Sequence, residues 1–375
     1  MWISKNYFFK AKKNMNIGLT YNLLKDDLLP DEEPPSCRDE YDSPKTVLAI
    51  EKAIKAMGHS VYFIEADDKA YFALYRLKDT LDFVFNFAEG VPGESRESQI
   101  PMMLEMLKIP YTACGPLAAA VTLDKAVAKK VLIASGIPTP PYQVMNTHED
   151  VLDPSLFFPL IVKPNGEGSS MGVDADSVCK DEVSLRRKVK QLIDKYKEPV
   201  LVEKFLSGRE FTIPLIGNGN DLRVLPILEI AFDKFPKMEF YIDCYEAKSV
   251  WCEENDLEEA INVNDTLEPD LKRRLQKIAM DSFNALGLRD FGRIDMRMDE
   301  EGNIYVLEAN PIPGLNPNPK HFSYFQVSAS YSGMSYDQII EAILKTAFKR
   351  YGLDETRSHK KIIKNEISAP LRRKV

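Results

Sequence analysis

Residues 291–314 read FGRIDMRMDEEGNIYVLEANPIPG, and this stretch decides how the rest of the chain is interpreted. Two runs of alternating apolar and polar residues flank the polar turn DEEGN, which is typical of a β-hairpin. Asp295 lies in the first run, and Glu308 and Asn310 lie in the second. Side chains two residues apart on a strand share a face, and the turn brings the two strands together. The hairpin therefore predicts two carboxylates and one amide oxygen at a single place.

Such a group of oxygen atoms repels itself unless a cation is present, and all-oxygen ligands favour Mg²⁺ over a softer metal. An acidic hairpin that simply faces water is the alternative interpretation. The residues from Pro311 to Gly314 form a rigid turn that fixes the end of the second strand, and this context favours a metal site.

Length and composition limit the class of protein. With 375 residues, the chain is expected to form two or three lobes with separate cores. A hydrophobic share of 44% and a charged share of 28% are typical of a soluble globular protein. The net charge of −8 argues against unspecific binding to nucleic acid or to anionic membranes.

Cysteine usage and hydropathy predict a cytoplasmic protein. The five cysteines are scattered without a CxxC pair, which favours free thiols in a reducing compartment. No apolar run reaches the roughly 18 residues that span a bilayer. Residues 1–14 contain no stretch long enough for a secretory signal and are expected to be an extension.

The N-terminal part alternates strands and helices, beginning with the buried strand at residues 16–21 and a helix that Ser43 and Pro44 start. This order predicts a parallel sheet covered by helices. Ligands of such sheets collect at the carboxyl ends of the strands, where NFAEGVPGESRESQ follows the third strand. No GxGxxG follows the first strand, so the Rossmann dinucleotide signature is missing.

The C-terminal part changes to strands joined by longer segments. Three strands are expected in EFTIPLIG, VLPILEIAF and MEFYID, followed by a helix from Pro269 to Leu286. A closing helix, YDQIIEAILKTAFKRYG, follows the hairpin, and the basic tail after it is expected to be disordered or loosely docked. The predicted fold class is α/β, with an α+β arrangement in the C-terminal lobe.

The loop NGEGSSMGV follows a strand that ends near Lys163. Its glycines allow backbone N–H groups to approach an anion, and Ser169 and Ser170 add hydroxyl donors. This pattern is typical of a phosphate clamp, although it is not a Walker A loop. A structural turn rich in glycine and serine is the alternative.

The segment LVEKFLSGRE can present backbone groups to an adenine edge and a carboxylate, Glu203 or Glu210, to ribose hydroxyls. A solvated strand end is the alternative. Lys125 and Lys248 are single lysines, and most lysines serve only as surface charges.

In order and spacing, these motifs together with LDKAVAKKVL, LPILEI, YEAKS and GMSYDQII resemble the ATP-grasp carboxylate-amine ligases, and within them a divergent member of the D-alanine:D-alanine ligase family. The resemblance runs from Asn16 to Tyr351. It implies a three-lobed ATP-grasp architecture with ATP between two lobes and a glycine-rich loop that closes over the site. The expected divisions are an extension at 1–14, an N-terminal domain at 15–118, a central lobe at 119–206, a C-terminal lobe with the metal site at 207–352, and a tail at 353–375.

The same resemblance assigns roles to three groups of residues. The implied ATP-binding residues are Lys125, Lys163, Glu167, Glu203, Lys204, Leu206 and Glu210. The implied catalytic residues are Arg293, Lys248, Ser169 and Ser170. The implied ligands of Mg²⁺, with two ions expected and Mn²⁺ as an alternative, are Asp295, Glu308 and Asn310.

Departures from the family pattern fall on the substrate side. The segment after the first strand lacks the family's glycine-rich turn and its donor-binding glutamate, for which the substitutes are Asp26, Asp27, Asp31, Glu32 and Glu33. Glu89 replaces a histidine, Glu94 is kept, and Ser249 stands where a tyrosine is expected. The acceptor-carboxylate serine after Gly314 corresponds to Pro319 or to Ser323, and Ser323 is preferred.

The function that follows is an ATP- and Mg²⁺-dependent ligase that joins a carboxylate to an amine through an acyl phosphate. D-Ala-D-Ala or a related dipeptide or amide is the expected product, amino acids are the expected substrates, and the resemblance suggests a homodimer. A catalytically inactive nucleotide-binding regulatory module is one alternative. Activation of a carboxylate for a downstream partner, with the basic tail as a docking element, is another.

Overall fold

The computed structural model describes residues 14–24, 41–235, 238–244, 261–263, 267–318 and 323–353. Almost all of the expected N-terminal extension and basic tail lies outside these ranges. Strands occupy β1 (Asn16–Tyr21), β2 (Ser60–Glu65), β3 (Phe83–Phe87), β4 (Tyr142–Met145), β5 (Leu160–Pro164), β6 (Val178–Cys179), β7 (Val200–Lys204), β8 (Glu210–Ile216), β9 (Arg223–Val224), β10 (Leu228–Ile230), β11 (Ile261–Val263), β12 (Phe291–Met298) and β13 (Ile304–Asn310).

The described helices alternate with these strands and cover the sheets. They are α1 (Pro44–Ala56), α2 (Ala70–Leu77), α3 (Gln99–Leu107), α4 (Pro116–Leu123), α5 (Lys125–Ala134), α6 (Glu182–Tyr196), α7 (Pro269–Ala285), α8 (Tyr324–Tyr331) and α9 (Tyr336–Tyr351). None of the helices in the described ranges is both long enough and apolar enough to cross a membrane.

The N-terminal sheet is parallel, with the strand order β2-β1-β3 that the alternating pattern favours. Helix α1 begins where the sequence predicts, because the Ser43 side chain accepts a hydrogen bond from the backbone N–H of Thr46 and Pro44 takes the first helical position. Helix α9 closes the N-terminal lobe from the other end of the chain, with Phe348 packed edge-on against Phe83 at 4.8 Å between ring centroids.

Two antiparallel sheets follow in the chain. The small sheet has the order β4-β7-β5-β6, and α6 packs on it through a core that includes Leu185, Val189 and Leu192. The large sheet has the order β11-β10-β8-β12-β13, with β9 paired to β8. The expected α/β class with an α+β C-terminal lobe is therefore confirmed.

The hairpin of the opening stretch forms β12 and β13 and lies beside β8 in the large sheet. Helix α7 covers one face through Leu271, Leu275 and Phe283, and α5 contributes Leu132 to the same core. Helices α7 and α5 cover one face of the hairpin, and the other face of the hairpin lies towards the small sheet.

One predicted strand is wrong. The segment MEFYID was expected to continue the sheet, but residues 238–244 contain no strand. Its alternating side chains have another cause, because Ile242 and Cys244 pack against Phe205 and Val178 and close one end of the space between the two sheets. Helix α8 was not predicted, since its apolar residues are mixed with serines that hydrogen-bond back to the chain, as Ser328 does to the Pro226 carbonyl at 2.6 Å.

Candidate active site

A cleft opens between the small sheet and the large sheet, with an empty volume of about 800 Å³. Strands β5 and β7 form one wall, and the hairpin β12–β13 forms the other. Ten residues that the sequence assigned to ATP, metal or catalysis line this cleft: Lys125, Lys163, Glu167, Ser170, Glu203, Lys204, Leu206, Glu210, Asp295 and Glu308. The structure therefore brings together residues that lie up to 183 positions apart, from 125 to 308.

The hairpin register places the predicted metal ligands side by side. Asp295 lies directly opposite Glu308, and Arg293 lies opposite Asn310. The Asn310 side-chain amide donates to Asp295 Oδ2 at 3.0 Å. Thr212, the register partner of Asp295 on β8, donates its hydroxyl to Oδ1 at 2.5 Å.

Basic side chains of the protein lie beside both carboxylates of this set. Arg293 donates from its Nε and a terminal nitrogen to Asp295 at 2.8–3.2 Å, and Lys125 Nζ lies 3.7 Å from Glu308 Oε2. Burial would lower the pKa of Arg293, but the carboxylate of Asp295 outweighs burial and raises it.

The donor set fits a hard cation, because every oxygen it offers belongs to a carboxylate or an amide. In the described part of the chain no three His, Cys, Asp or Glu side chains converge as a metal cluster. The predicted set differs from such a cluster because its third member is the amide of Asn310. The negative charges of Asp295 and Glu308 would be neutralised jointly by Mg²⁺, Arg293 and Lys125.

A buried Lys–Glu–Lys cluster forms the wall of the small sheet. Glu203 on β7 forms ion pairs with Lys163 at 2.6 Å and with Lys129 at 2.7 Å, and all three side chains are nearly buried. Lys129 also donates to Thr139 Oγ1 at 2.8 Å, and Thr139 in turn donates to the Val306 carbonyl at 2.8 Å. The cluster thus links the small sheet to the hairpin, and the Glu203 carboxylate is already held by two lysines.

The two lysines of the cluster respond differently to burial. Burial lowers the pKa of Lys129 to about 8, although Glu203 opposes this effect. Burial also acts on Lys163, but the carboxylates of Glu203 and Glu308 outweigh it and raise the pKa of Lys163. For Glu203 itself, the nearby Lys129 and Lys163 outweigh burial and lower the pKa. The cluster carries one net positive charge at neutral pH, on the wall where the sequence predicts phosphate.

The glycine-rich loop NGEGSSMGV is anchored at its base. Asn165 accepts the backbone N–H of Ala126 at the start of α5 through its side-chain oxygen at 3.0 Å. Lys125 Nζ donates to the backbone carbonyl of Glu167. At the tip, Ser169 and Ser170 have positive φ angles of 50° and 59°. Left-handed backbone at two consecutive serines turns the loop sharply over the cleft.

Arg96 of the N-terminal lobe also holds this loop. Its guanidinium donates to the Gly166 carbonyl at 3.0 Å and lies 3.3 Å from Glu167 Oε2. The Arg96 and Glu167 side chains are 6% and 7% exposed, so the pair is almost fully desolvated. Glu198 holds the other side of Gly166 by accepting its N–H at 3.0 Å.

The far end of the loop reaches the large-sheet side. The Ser170 hydroxyl donates to the backbone carbonyl of Asp243 at 2.9 Å. Asp243 lies 3.3 Å from the hydroxyl of Tyr324, and the Tyr324 ring lies 5.5 Å from the Arg293 guanidinium carbon. The loop therefore bridges both walls of the cleft.

The predicted substrate residues do not line the cleft. Glu89 is half-buried at the end of β3, and Glu94 is exposed. Gly314 and Ser323 lie together, because a Cβ on Gly314 would lie 3.2 Å from Ser323 Oγ, which accepts the N–H of Asn316 at 2.9 Å. Several predicted residues lie outside the described ranges, namely Asp26, Asp27, Asp31, Glu32, Glu33, Lys248, Ser249 and Pro319.

Three residues at the site were missed from the sequence: Lys129, Arg297 and Arg96. A signal existed for two of them, because Lys129 lies one helical turn after Lys125 and Arg297 lies two residues after Asp295 on the same strand face. For Arg96 no local signal exists, since its contacts are 70 residues away in the chain.

Comparison with known proteins supports the resemblance to the D-alanine:D-alanine ligase family. The family described as D-ala D-ala ligase C-terminus matches residues 131–345. The chain is 33% identical over 309 residues to the uncharacterized protein y4sG of Sinorhizobium fredii, covering 81% of this chain and 87% of that protein. It is also 33% identical over 312 residues to the D-alanine–D-alanine ligase of Carboxydothermus hydrogenoformans, covering 80% and 92%.

The fold resembles a crystal structure of the D-alanine–D-alanine ligase from Bacillus anthracis complexed with ATP. The TM-score is 0.67 at 22% sequence identity, and the match covers 90% of this chain and 99% of that chain. At this identity the likeness concerns the fold, and it confirms the ATP-grasp architecture expected from the sequence.

Proposed function

Because this chain belongs to the D-alanine–D-alanine ligase family, we propose that it uses ATP and Mg²⁺ to join a carboxylate to an amine. The observation that carries this proposal is the convergence, on one cleft between two sheets, of ten residues to which the sequence resemblance assigned roles in ATP binding, metal binding or catalysis. Such convergence has no reason in a fold alone, because charged side chains are costly to crowd into a half-buried space.

The proposed chemistry has two steps. A carboxylate oxygen of the first substrate attacks the γ-phosphorus of ATP, the bond to the leaving ADP oxygen breaks, and an acyl phosphate forms. The amine of the second substrate then attacks the acyl carbon, loses a proton, and expels inorganic phosphate. D-Ala-D-Ala or a related dipeptide or amide is the proposed product, with amino acids as substrates.

The residues of the cleft serve these steps by charge and position. Lys125 and Lys163 face the place proposed for the phosphates, and Arg293 is the donor proposed to steady the transferring group. Asp295, Glu308 and Asn310 would hold Mg²⁺, which when bound neutralises phosphate charge and aligns the oxygens. The glycine-rich loop excludes water, which protects an acyl phosphate from hydrolysis.

The test measures release of ADP and phosphate with Mg-ATP against a panel of single and paired D- and L-amino acids, with products identified by mass. Release that needs a pair, with a product of the summed mass less one water, supports ligation. Release with one carboxylate alone would favour the activating enzyme. ATP binding without release from any pair would favour an inactive nucleotide-binding module, and either result would overturn the proposal.

A further inference from the structure

Arg297 is a buried arginine of the cleft to which the chemistry above gives no role. It lies on β12 two residues after Asp295, lines the cleft and is 5% exposed. A buried guanidinium is stable only when its hydrogen-bond donors are satisfied. The partners of Arg297 therefore indicate what it holds in place.

The main partner is Glu210, the acid that the sequence assigned to adenosine. Arg297 and Glu210 are register partners on neighbouring strands, and a terminal guanidinium nitrogen donates to Glu210 Oε2 at 2.9 Å. The Glu210 side chain is 11% exposed, so this ion pair is largely desolvated. A pair of this kind fixes the rotamer of the carboxylate far more firmly than a surface pair does.

The other contacts of Arg297 hold the wall around Glu210. The guanidinium donates to the Tyr241 carbonyl at 2.6 Å and to the Gly208 carbonyl at 3.3 Å. Its central carbon lies 5.0 Å from the Phe205 ring centroid and 4.9 Å from that of Phe232. The planar group is thus fixed on several sides, and its fork of donors binds three different residues.

We propose that Arg297 is a positioning residue, which orients the Glu210 carboxylate towards the ribose hydroxyls of ATP. This inference rests on the proposed function, because it requires that the cleft binds ATP. Glu203 cannot serve the ribose in the same way, because both of its carboxylate oxygens are paired, Oε1 with Lys163 and Oε2 with Lys129. Arg297 also cancels the charge of Glu210, which would otherwise repel the nearby triphosphate.

The test compares binding of ATP and of 2′,3′-dideoxy-ATP, both with Mg²⁺, by titration calorimetry. Wild-type protein is expected to prefer ATP by about tenfold or more, because the ribose hydroxyls bond to Glu210. Arg297→Met is expected to weaken ATP binding by about tenfold or more and to reduce the preference below about threefold. Glu210→Gln in the same background should recover part of the ATP affinity, since it removes the negative charge that Arg297 no longer neutralises.

Arg209→Met is the matched control. Arg209 is the residue before Glu210 and pairs with Glu229 at 2.6 Å outside the cleft, so its loss should leave both affinities unchanged. Arg297→Lys keeps the charge and loses the fork, and it should still lose the ribose preference while it keeps more of the ATP affinity. If Arg297→Met does not fold, Arg297→Lys is used in its place to test the loss of the ribose preference.

The outcomes separate the two proposals. If wild-type protein does not bind ATP, the proposed function fails and this inference fails with it. If wild-type protein binds ATP and prefers it over the dideoxy analogue, but Arg297→Met or Arg297→Lys keeps that preference, only the role of Arg297 is overturned. Equal binding of the two nucleotides by wild-type protein also overturns the role of Arg297.

Discussion

The two walls of the cleft use the same residue types in different surroundings. On the small-sheet wall, the Glu203 side chain is 2% exposed and is enclosed between Lys129 and Lys163. On the hairpin wall, the Glu308 side chain is 27% exposed and lies 3.7 Å from Lys125. Burial thus encloses one glutamate in the framework, whereas the other keeps part of its surface towards the solvent. The walls should respond differently when a single charge is removed.

The largest expected effect is a loss of stability on the small-sheet wall. Glu203→Gln leaves Lys129 and Lys163 close together without the carboxylate that pairs with both, so the free energy of unfolding should fall by about 3–5 kcal/mol. Chemical denaturation measures this change. Glu182→Gln, which removes the partner of Arg186 in an exposed pair, is the control and should cost at most about 1 kcal/mol. Equal effects of the two substitutions would contradict the distinction between the walls.

On the hairpin wall the expected loss is in turnover. Glu308→Gln removes a proposed metal ligand without removing core volume, so turnover should fall by a few hundredfold or more, about 3–4 kcal/mol on the barrier. The free energy of unfolding should change by less than about 1 kcal/mol. Steady-state kinetics and denaturation check both values. Glu301→Gln, in the exposed turn of the same hairpin, should change neither, and a fully active Glu308→Gln would refute the metal assignment.

The small-sheet wall should also respond to pH through Lys129. Burial lowers its pKa from 10.5 to about 8, so between these values the unfolded chain binds more protons than the folded chain. Stability from this group therefore increases as pH rises through that window. Wild-type protein should gain about 1–3 kcal/mol of unfolding free energy relative to Lys129→Met between pH 8 and 10. If the difference in unfolding free energy between wild-type protein and Lys129→Met stays constant or declines over this range, burial does not lower the pKa of Lys129.

The smallest effect concerns the loop that joins the walls. Arg96→Met removes the guanidinium that holds Gly166 and Glu167, so the loop should close less readily and the KM for ATP should rise about fivefold to thirtyfold. Turnover at saturating ATP should change by less than about fivefold, because Arg96 does not line the cleft. Arg76→Met on the exposed side of α2 serves as the control. A fall in turnover with no change in KM would exclude this role.

The hairpin wall could be predicted from the sequence because its geometry is local. The turn at residues 299–303 brings Asp295 to within one residue pair of Glu308, and a β-bulge between Asp295 and Met296 then makes the two residues directly opposite. The buried cluster on the other wall could not be predicted, because pairing of Glu203 with Lys129 requires a helix and a strand that are 74 positions apart. The segment 238–244 was mistaken for a strand, since an alternating pattern does not distinguish pairing in a sheet from closure of a cleft.

The substrate side was the least predictable part. At the end of the N-terminal sheet, the Gly90 N–H donates to Asn22 at 2.9 Å and the Tyr41 hydroxyl donates to the Gly90 carbonyl at 3.3 Å. These contacts join segments that are 49 and 68 positions apart, and no spacing within any one of them indicates the arrangement. Residues whose roles depend on such packing, including Glu89, Glu94 and Ser323, stay predictions.

The most direct measurement follows one oxygen atom through the reaction. The substrate pair found in the amino-acid panel is supplied with ¹⁸O in the carboxylate of the donor, and the phosphate released with ADP is examined by mass. Formation of an acyl phosphate predicts one ¹⁸O atom in each phosphate molecule. Unlabelled phosphate, or label recovered in AMP, would contradict the account of this cleft as a site that phosphorylates a carboxylate.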